Sequence, residues 1–169
     1  EYKYNEFGSV QNLCALMIHT NNILLRTIIY LSKALPEIKI IVRPRFNESI
    51  NEYNFLSKMK NIKIDKHPTH DKFFQQINIA IVCSSSIGSE AQLANIPTIS
   101  LINMIDETLE HYQYEFGERY EHYWKPNNFD ELLQYIIKSQ KNTLNVSPDV
   151  DFLIDYLKRQ FPVPSNTNE

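Results

Sequence analysis

The sequence predicts an α/β domain built on an open, mostly parallel, doubly wound sheet with helices on both faces. Short, continuously apolar runs recur along the 169 residues, as strands covered on both faces require. Amphipathic helical patterns alternate with those runs, which makes parallel β-α units. With 43% hydrophobic residues the chain is long enough to bury a core as one domain.

Residues 1–12 read as a linker or trailing segment, 13–161 as the domain, and 162–169 as a disordered tail. The run Leu13 to Ile18 reads as a first strand. It stops at His19-Thr20-Asn21-Asn22, whose capping character starts a helix through Ile23, Leu24, Ile28, Leu31 and Leu35. Ile38 to Val42 is a second strand, and Asn47 can cap a helix containing Tyr53, Phe55, Leu56 and Met59. Asn61 to Ile64 is a third strand, followed by a short helix that starts at Thr69 or Asp71 and includes Phe73 and Phe74. Asn78 to Cys83 is the fourth, leading through a serine turn into a helix over Ala91, Leu93 and Ala94. Pro97 to Ile102 is the fifth. Residues 103–127 are aromatic and polar without a clear period, while Phe129 to Ile137 and Val150 to Phe161 read as helices.

Composition excludes several functions. Seventeen basic residues stand against 20 acidic ones, so the chain lacks the basic excess of a nucleic-acid module. There are three glycines, Gly8, Gly88 and Gly117. No two are close enough for a dinucleotide fingerprint or a Walker loop. Cys14 and Cys83 sit in apolar runs and read as buried thiols. No apolar run reaches the ~18 to 20 residues of a membrane span, no signal peptide opens the chain, and a cytoplasmic setting is expected. The first residue is Glu1, not Met, so a piece of a longer protein is expected, its other half carrying part of the active site.

In a doubly wound sheet, ligands bind beyond the carboxyl ends of the strands. The strongest candidate there is Ser84-Ser85-Ser86-Ile87-Gly88-Ser89-Glu90. Its hydroxyls and the opening turn of a helix suit phosphate oxygens, and Gly88 lets a ligand approach the backbone. Capping explains one serine, not three, and a capping box on Ser86 would put the acid at position 89 rather than at Glu90. Arg43 and Arg45 flank Pro44 at another strand end, where they meet an anion or stand as solvated charges. His19 and Thr20 would face the same crevice unless they only cap a helix. His67-Pro68-Thr69-His70 has a spacing that could suit a metal, but Pro68 prevents a regular helix there, so none is assigned. His111, His122 and Trp124 either stack on a base or sugar or pack as core. The sequons at Asn47 and Asn145 matter only in a secreted chain.

Three stretches then resemble one family: Ile41-Val42-Arg43-Pro44-Arg45-Phe46, Ser85-Ser86-Ile87-Gly88-Ser89-Glu90-Ala91, and Asn95-Ile96-Pro97-Thr98-Ile99. From Ile38 to Leu101 the chain resembles the C-terminal, donor-binding half of GT-B glycosyltransferases that build bacterial surface and capsular polysaccharide. It departs at Arg45, where the family has His, and at Asn95, where it has Gly. The resemblance implies a nucleotide-sugar donor with its phosphates on the serine turn. It puts Glu90 near ribose or sugar hydroxyls and Arg43 or Arg45 on the leaving phosphate. It implies no separate cofactor, an N-terminal acceptor-binding domain in the same or another chain, and peripheral association with the cytoplasmic face of the inner membrane. The general base is expected outside these residues, so the chain alone binds nucleotide and transfers nothing.

Two alternatives remain. Non-hydrolysing sugar-nucleotide 2-epimerases share the architecture and a similar turn, but carry more glycines and extra catalytic acids. A non-enzymatic α/β interaction module has no need of serines and arginines at strand ends. A receiver domain would need an acidic cluster where this chain has His19-Thr20-Asn21.

Overall fold

A computed structural model describes residues 10–45, 48–67, 69–83, 85–105 and 123–141. The order is helix α1 (Val10–Ala34), strand β1 (Ile40–Val42), a 3-10 helix (Ile50–Lys58), β2 (Ile62–Ile64), α2 (His70–Phe74), β3 (Ala80–Val82), α3 (Ile87–Leu93), β4 (Thr98–Ser100), a 3-10 turn (Ile102–Met104) and α4 (Phe129–Gln140). The strands form two parallel pairs. Ile40, Ile41 and Val42 lie opposite Ile62, Lys63 and Ile64; Ala80, Ile81 and Val82 lie opposite Thr98, Ile99 and Ser100. The domain is therefore mixed α/β with parallel pairing, and each sheet has two strands among the described residues.

The expected strand over Leu13 to Ile18 is not formed: these residues belong to α1, a helix of 25 residues. Leu16, Thr20, Ile23, Thr27 and Leu31 are all buried, at spacings of three or four that draw one stripe down a single helix. Thr20 does not interrupt it, because its hydroxyl turns back to donate to the Met17 carbonyl at 3.0 Å. Asn21 and Asn22 are exposed and tolerated on the outer face. Pro36 lies two residues beyond the helix end, as expected of a residue that cannot continue it. As one helix, Cys14–Ala34 is long and apolar enough by length and composition to cross a membrane, yet Leu16, Ile23 and Leu31 join the core of this domain.

Asn61 ties the end of α1 to the first strand pair. Its Nδ2 donates to the carbonyls of Ser32, Leu35 and Ile38 at 3.2–3.3 Å, and its Oδ1 accepts from the Ser32 hydroxyl. Carbonyls left open at a helix terminus thus find a donor. The main core gathers Leu16, Ile23 and Leu31 of α1 with Cys83, Ile99 and Leu101, and Leu132 and Ile136 of α4.

The other expected strands appear, each trimmed to three residues. The helix expected after Asn47 is instead a 3-10 helix preceded by Ser49. The segment after Ile102 contributes Trp124, whose backbone N–H bonds Thr98 O at 3.1 Å and whose backbone carbonyl accepts from Ser100 N–H at 2.8 Å. Trp124 also packs on Tyr135, with ring centroids 5.1 Å apart, so its role here is packing. Helix α4 begins as its sequence predicts: Asn128 accepts from Glu131 N–H at 2.9 Å, and the Glu131 carboxylate bonds Asn127 N–H at 2.8 Å. Residues 1–9, Asn47, His111, His122, Asn145, the helix expected over Val150 to Phe161 and the tail 162–169 lie outside the described residues.

Helix α3 closes with Asn95 at φ 59°. Asn95 N–H bonds Gln92 O at 2.8 Å and Ile96 N–H bonds Ala91 O at 2.9 Å, the paired bonds of a left-handed helix end. That conformation favours glycine and tolerates asparagine next, which explains why Asn95 can stand where the resembled family has Gly.

Candidate functional site

The segments beyond the carboxyl ends of β1, β2 and β3 meet at one edge of the domain. Arg43 follows β1. Its guanidinium binds the carboxylate of Asp65, a residue 4% exposed, just past β2. It also donates to His67 O at 3.0 Å and lies 5.2 Å from the centre of the Phe73 ring. These contacts employ Arg43 in joining β1, β2 and α2. Arg45, two residues on, is exposed. Its backbone N–H bonds the Glu48 carboxylate at 2.9 Å, which also accepts from the Tyr53 hydroxyl at 2.7 Å. Burial, then that bond to Glu48, pushes the Tyr53 hydroxyl up to about 12. The Arg45 charge is also felt at Cys83, but burial outweighs it and pushes that thiol up to about 12.

After β3 the serine turn enters α3. Ser84 lies outside the described residues; Ser85 is half-buried and Ser86 exposed. Ser86 precedes the helix with φ −61° and ψ −23°, already helical, and its side chain makes no capping bond. Its hydroxyl is therefore not spent on the role that would have explained it locally. Gly88 is buried for a different reason from the expected one. A Cβ there would stand 2.9 Å from the Tyr123 hydroxyl and 3.1 Å from Val82 Cγ2, so the glycine makes room for packing. Ser89, 4% exposed, shares a 3.0 Å hydrogen bond with the same Tyr123 hydroxyl.

Glu90 points outward and meets His70, the first residue of α2, with Nδ1 2.5 Å from Oε2. His70 and Asp65 are the residues that sequence reading did not place. A polar residue directly beyond each apolar strand was the available signal for Asp65. For His70 the signal was only its position at a helix start.

A cavity of about 980 Å³ opens between β1 and β3, walled by Leu24, Ile28 and Leu31 of α1, with Arg43, Arg45 and Ser85 among its lining. The ladders explain the opening. Ile40 N–H and Val42 O bond toward β2, and Ala80 N–H and Val82 O toward β4. Alternation turns the backbone of Ile41 and of Ile81 to the opposite edges, and both residues line this cavity. His19 and Thr20 do not join it. They lie mid-helix on α1 rather than at a strand end, and the Thr20 hydroxyl is engaged with Met17. Among the described residues no three His, Cys, Asp or Glu side chains are grouped to hold a metal ion.

Chemically, this edge offers serine hydroxyls and one exposed guanidinium to an anion, beside a paired imidazole and carboxylate. No family model, curated protein or solved structure matches the chain.

Proposed function

We propose that this chain is the donor-binding half of a nucleotide-sugar-dependent glycosyltransferase of surface-polysaccharide synthesis. The observation that carries the reading is the Ser86 side chain, which makes no capping bond, on a turn whose Ser85 lines one cavity with Arg45. In this reading the two parallel pairs belong to one open, doubly wound sheet in the order β2-β1-β3-β4. Ile41 and Ile81 turn their unpaired edges to the same cavity, which supports that order, with the two pairs standing apart across the cavity rather than hydrogen-bonded to each other.

The chemistry follows from the charges. Glycosyl transfer breaks the bond between the sugar carbon and the phosphate oxygen, and the electron pair leaves with the nucleotide. Serine hydroxyls and the Arg45 guanidinium aimed at that oxygen lower the barrier. The acceptor hydroxyl and the base that takes its proton belong to a second half, in the same or another chain, working at the cytoplasmic face of the membrane. Arg43 serves the frame in this scheme, and no metal or cofactor is invoked.

Ligand-observed NMR of the chain against CMP and against UDP-, GDP- and CDP-linked sugars tests the proposal. Binding to one nucleotide class is expected, with Ser85→Ala and Arg45→Ala each weakening it by about tenfold, the worth of one hydrogen bond to a charged group. No binding to any nucleotide would overturn the proposal in favour of an interaction module.

A further inference from the structure

We infer that the cavity between β1 and β3 is the seat of a further parallel strand, and that its occupant is the run Leu13 to Ile18, released from the first half of α1 in a second packing of the same chain. The cavity presents two unpaired strand edges. The backbone of Ile41 turns to it from one side and that of Ile81 from the other. An alkyl chain offers those edges nothing, whereas an extended backbone carries a donor and an acceptor toward each neighbour. Strand addition is the matching mode.

The occupant follows from what α1 leaves in water. Every residue of Leu13-Cys14-Ala15-Leu16-Met17-Ile18 is apolar, but a helix hides only one stripe of such a run. Cys14 is exposed, Met17 is 45% exposed and Ile18 60%. A central strand is covered on both faces, which suits a continuously apolar run. Leu16 is already buried in α1 and trades one buried place for another, so the exchange gains the burial of Met17 and Ile18. The second half of α1 need not move. Its Leu24, Ile28 and Leu31 wall the cavity, as does Asn21. Just beyond its end, Leu35 O accepts from Ile38 N–H at 3.1 Å, close to the start of β1. His19-Thr20-Asn21-Asn22 then becomes a link of ordinary length, and the new strand, the shortened helix and β1 make one β-α-β crossover. Thr20, whose hydroxyl bonds Met17 O within α1, becomes the cap of the shortened helix. The exchange carries His19 and Thr20 to the edge where Arg45 and Ser85 stand.

Proline separates the two packings. Inside a long helix Asn21→Pro removes a hydrogen bond and clashes with the preceding turn, whereas at the first position of a helix capped by Thr20 it fits. Ile18→Asp is the counterpart: tolerated at an exposed position on α1 and excluded from a buried central strand. Thermal melts, thiol labelling and hydrogen exchange of the full chain read the outcome. Asn21→Pro should still melt cooperatively, with Cys14 labelling lost to the level of buried Cys83 and the amides of Ile41 and Ile81 newly protected. Ile18→Asp should melt like the wild type with Cys14 reactive, and the double variant should lose its cooperative melt. The inference is overturned if Asn21→Pro does not fold, or folds with Cys14 as reactive as in the wild type or with Ile41 and Ile81 unprotected. A double variant that melts like Asn21→Pro overturns it too. Nucleotide binding enters none of these measurements, so their failure leaves the donor reading standing.

Discussion

The Asp65 carboxylate, in a residue 4% exposed, holds the guanidinium of Arg43 where β1 and β2 end. Arg45, two residues further, is exposed. The two arginines therefore separate under mutation. Removing either partner of the buried pair strands a charge, so Arg43→Ala and Asp65→Ala should each cost about 3 kcal/mol of folding free energy. Arg45→Ala should leave thermal stability within about 0.5 kcal/mol and weaken nucleotide binding. Denaturant titration beside a binding isotherm checks both; equal stability losses at Arg43 and Arg45 would contradict the assignment.

Gly88→Ala should destabilise the domain by about 1–3 kcal/mol, the usual penalty for forcing atoms into a filled core. The added methyl would meet the Tyr123 hydroxyl at 2.9 Å and its Cε2 at 3.0 Å. That tyrosine is 5% exposed and has little room to withdraw. A melting temperature equal to that of wild type would show that the glycine serves something other than packing.

Asn61→Ala should cost about 2–3 kcal/mol, because it leaves acceptors at a part-buried helix end without a donor. The carbonyls of Ser32, Leu35 and Ile38 all accept from the one amide, although Leu35 O also accepts from Ile38 N–H at 3.1 Å. Asn61→Leu should fare no better, since an apolar side chain of similar size restores contact but no donor. The urea midpoints of the two variants decide the point.

The two thiols should differ in reactivity. Cys14 is exposed and Cys83 buried. A thiol reagent should therefore modify one cysteine in the native protein and two after unfolding. Cys83 is raised from an ordinary 9.0 to about 12 by burial, and Tyr53 from 10.0 to about 12 by burial and its bond to Glu48. Both shifts favour the protonated folded state. Their contribution is complete below about pH 9 and declines as the pH rises toward 12. Denaturation measured at about pH 8 and about pH 10.5 should show lower stability at the higher pH, with a smaller decline in Cys83→Ala.

Strands β1 to β4 and helix α4 were legible because their signals are local: an apolar run between polar ends, or an apolar stripe at helical spacing. Residues 13–35 were misread for a reason that is also physical. A short apolar run does not tell a buried strand from a buried helix segment, and four polar residues looked like a boundary. Thr20 removes that boundary by satisfying its hydroxyl within the helix.

By itself, the sequence determined the class of the domain, the positions of most strands and the turn where serines follow β3, since each depends on neighbouring residues. Tertiary structure alone decided that Arg43 is engaged and Arg45 exposed, that Gly88 yields space to Tyr123, and that Glu90 meets His70. Those partners lie 20 to 35 positions apart. Which of them meet is set by how the connections cross between parallel strands, and no local pattern of apolar and polar residues carries that information.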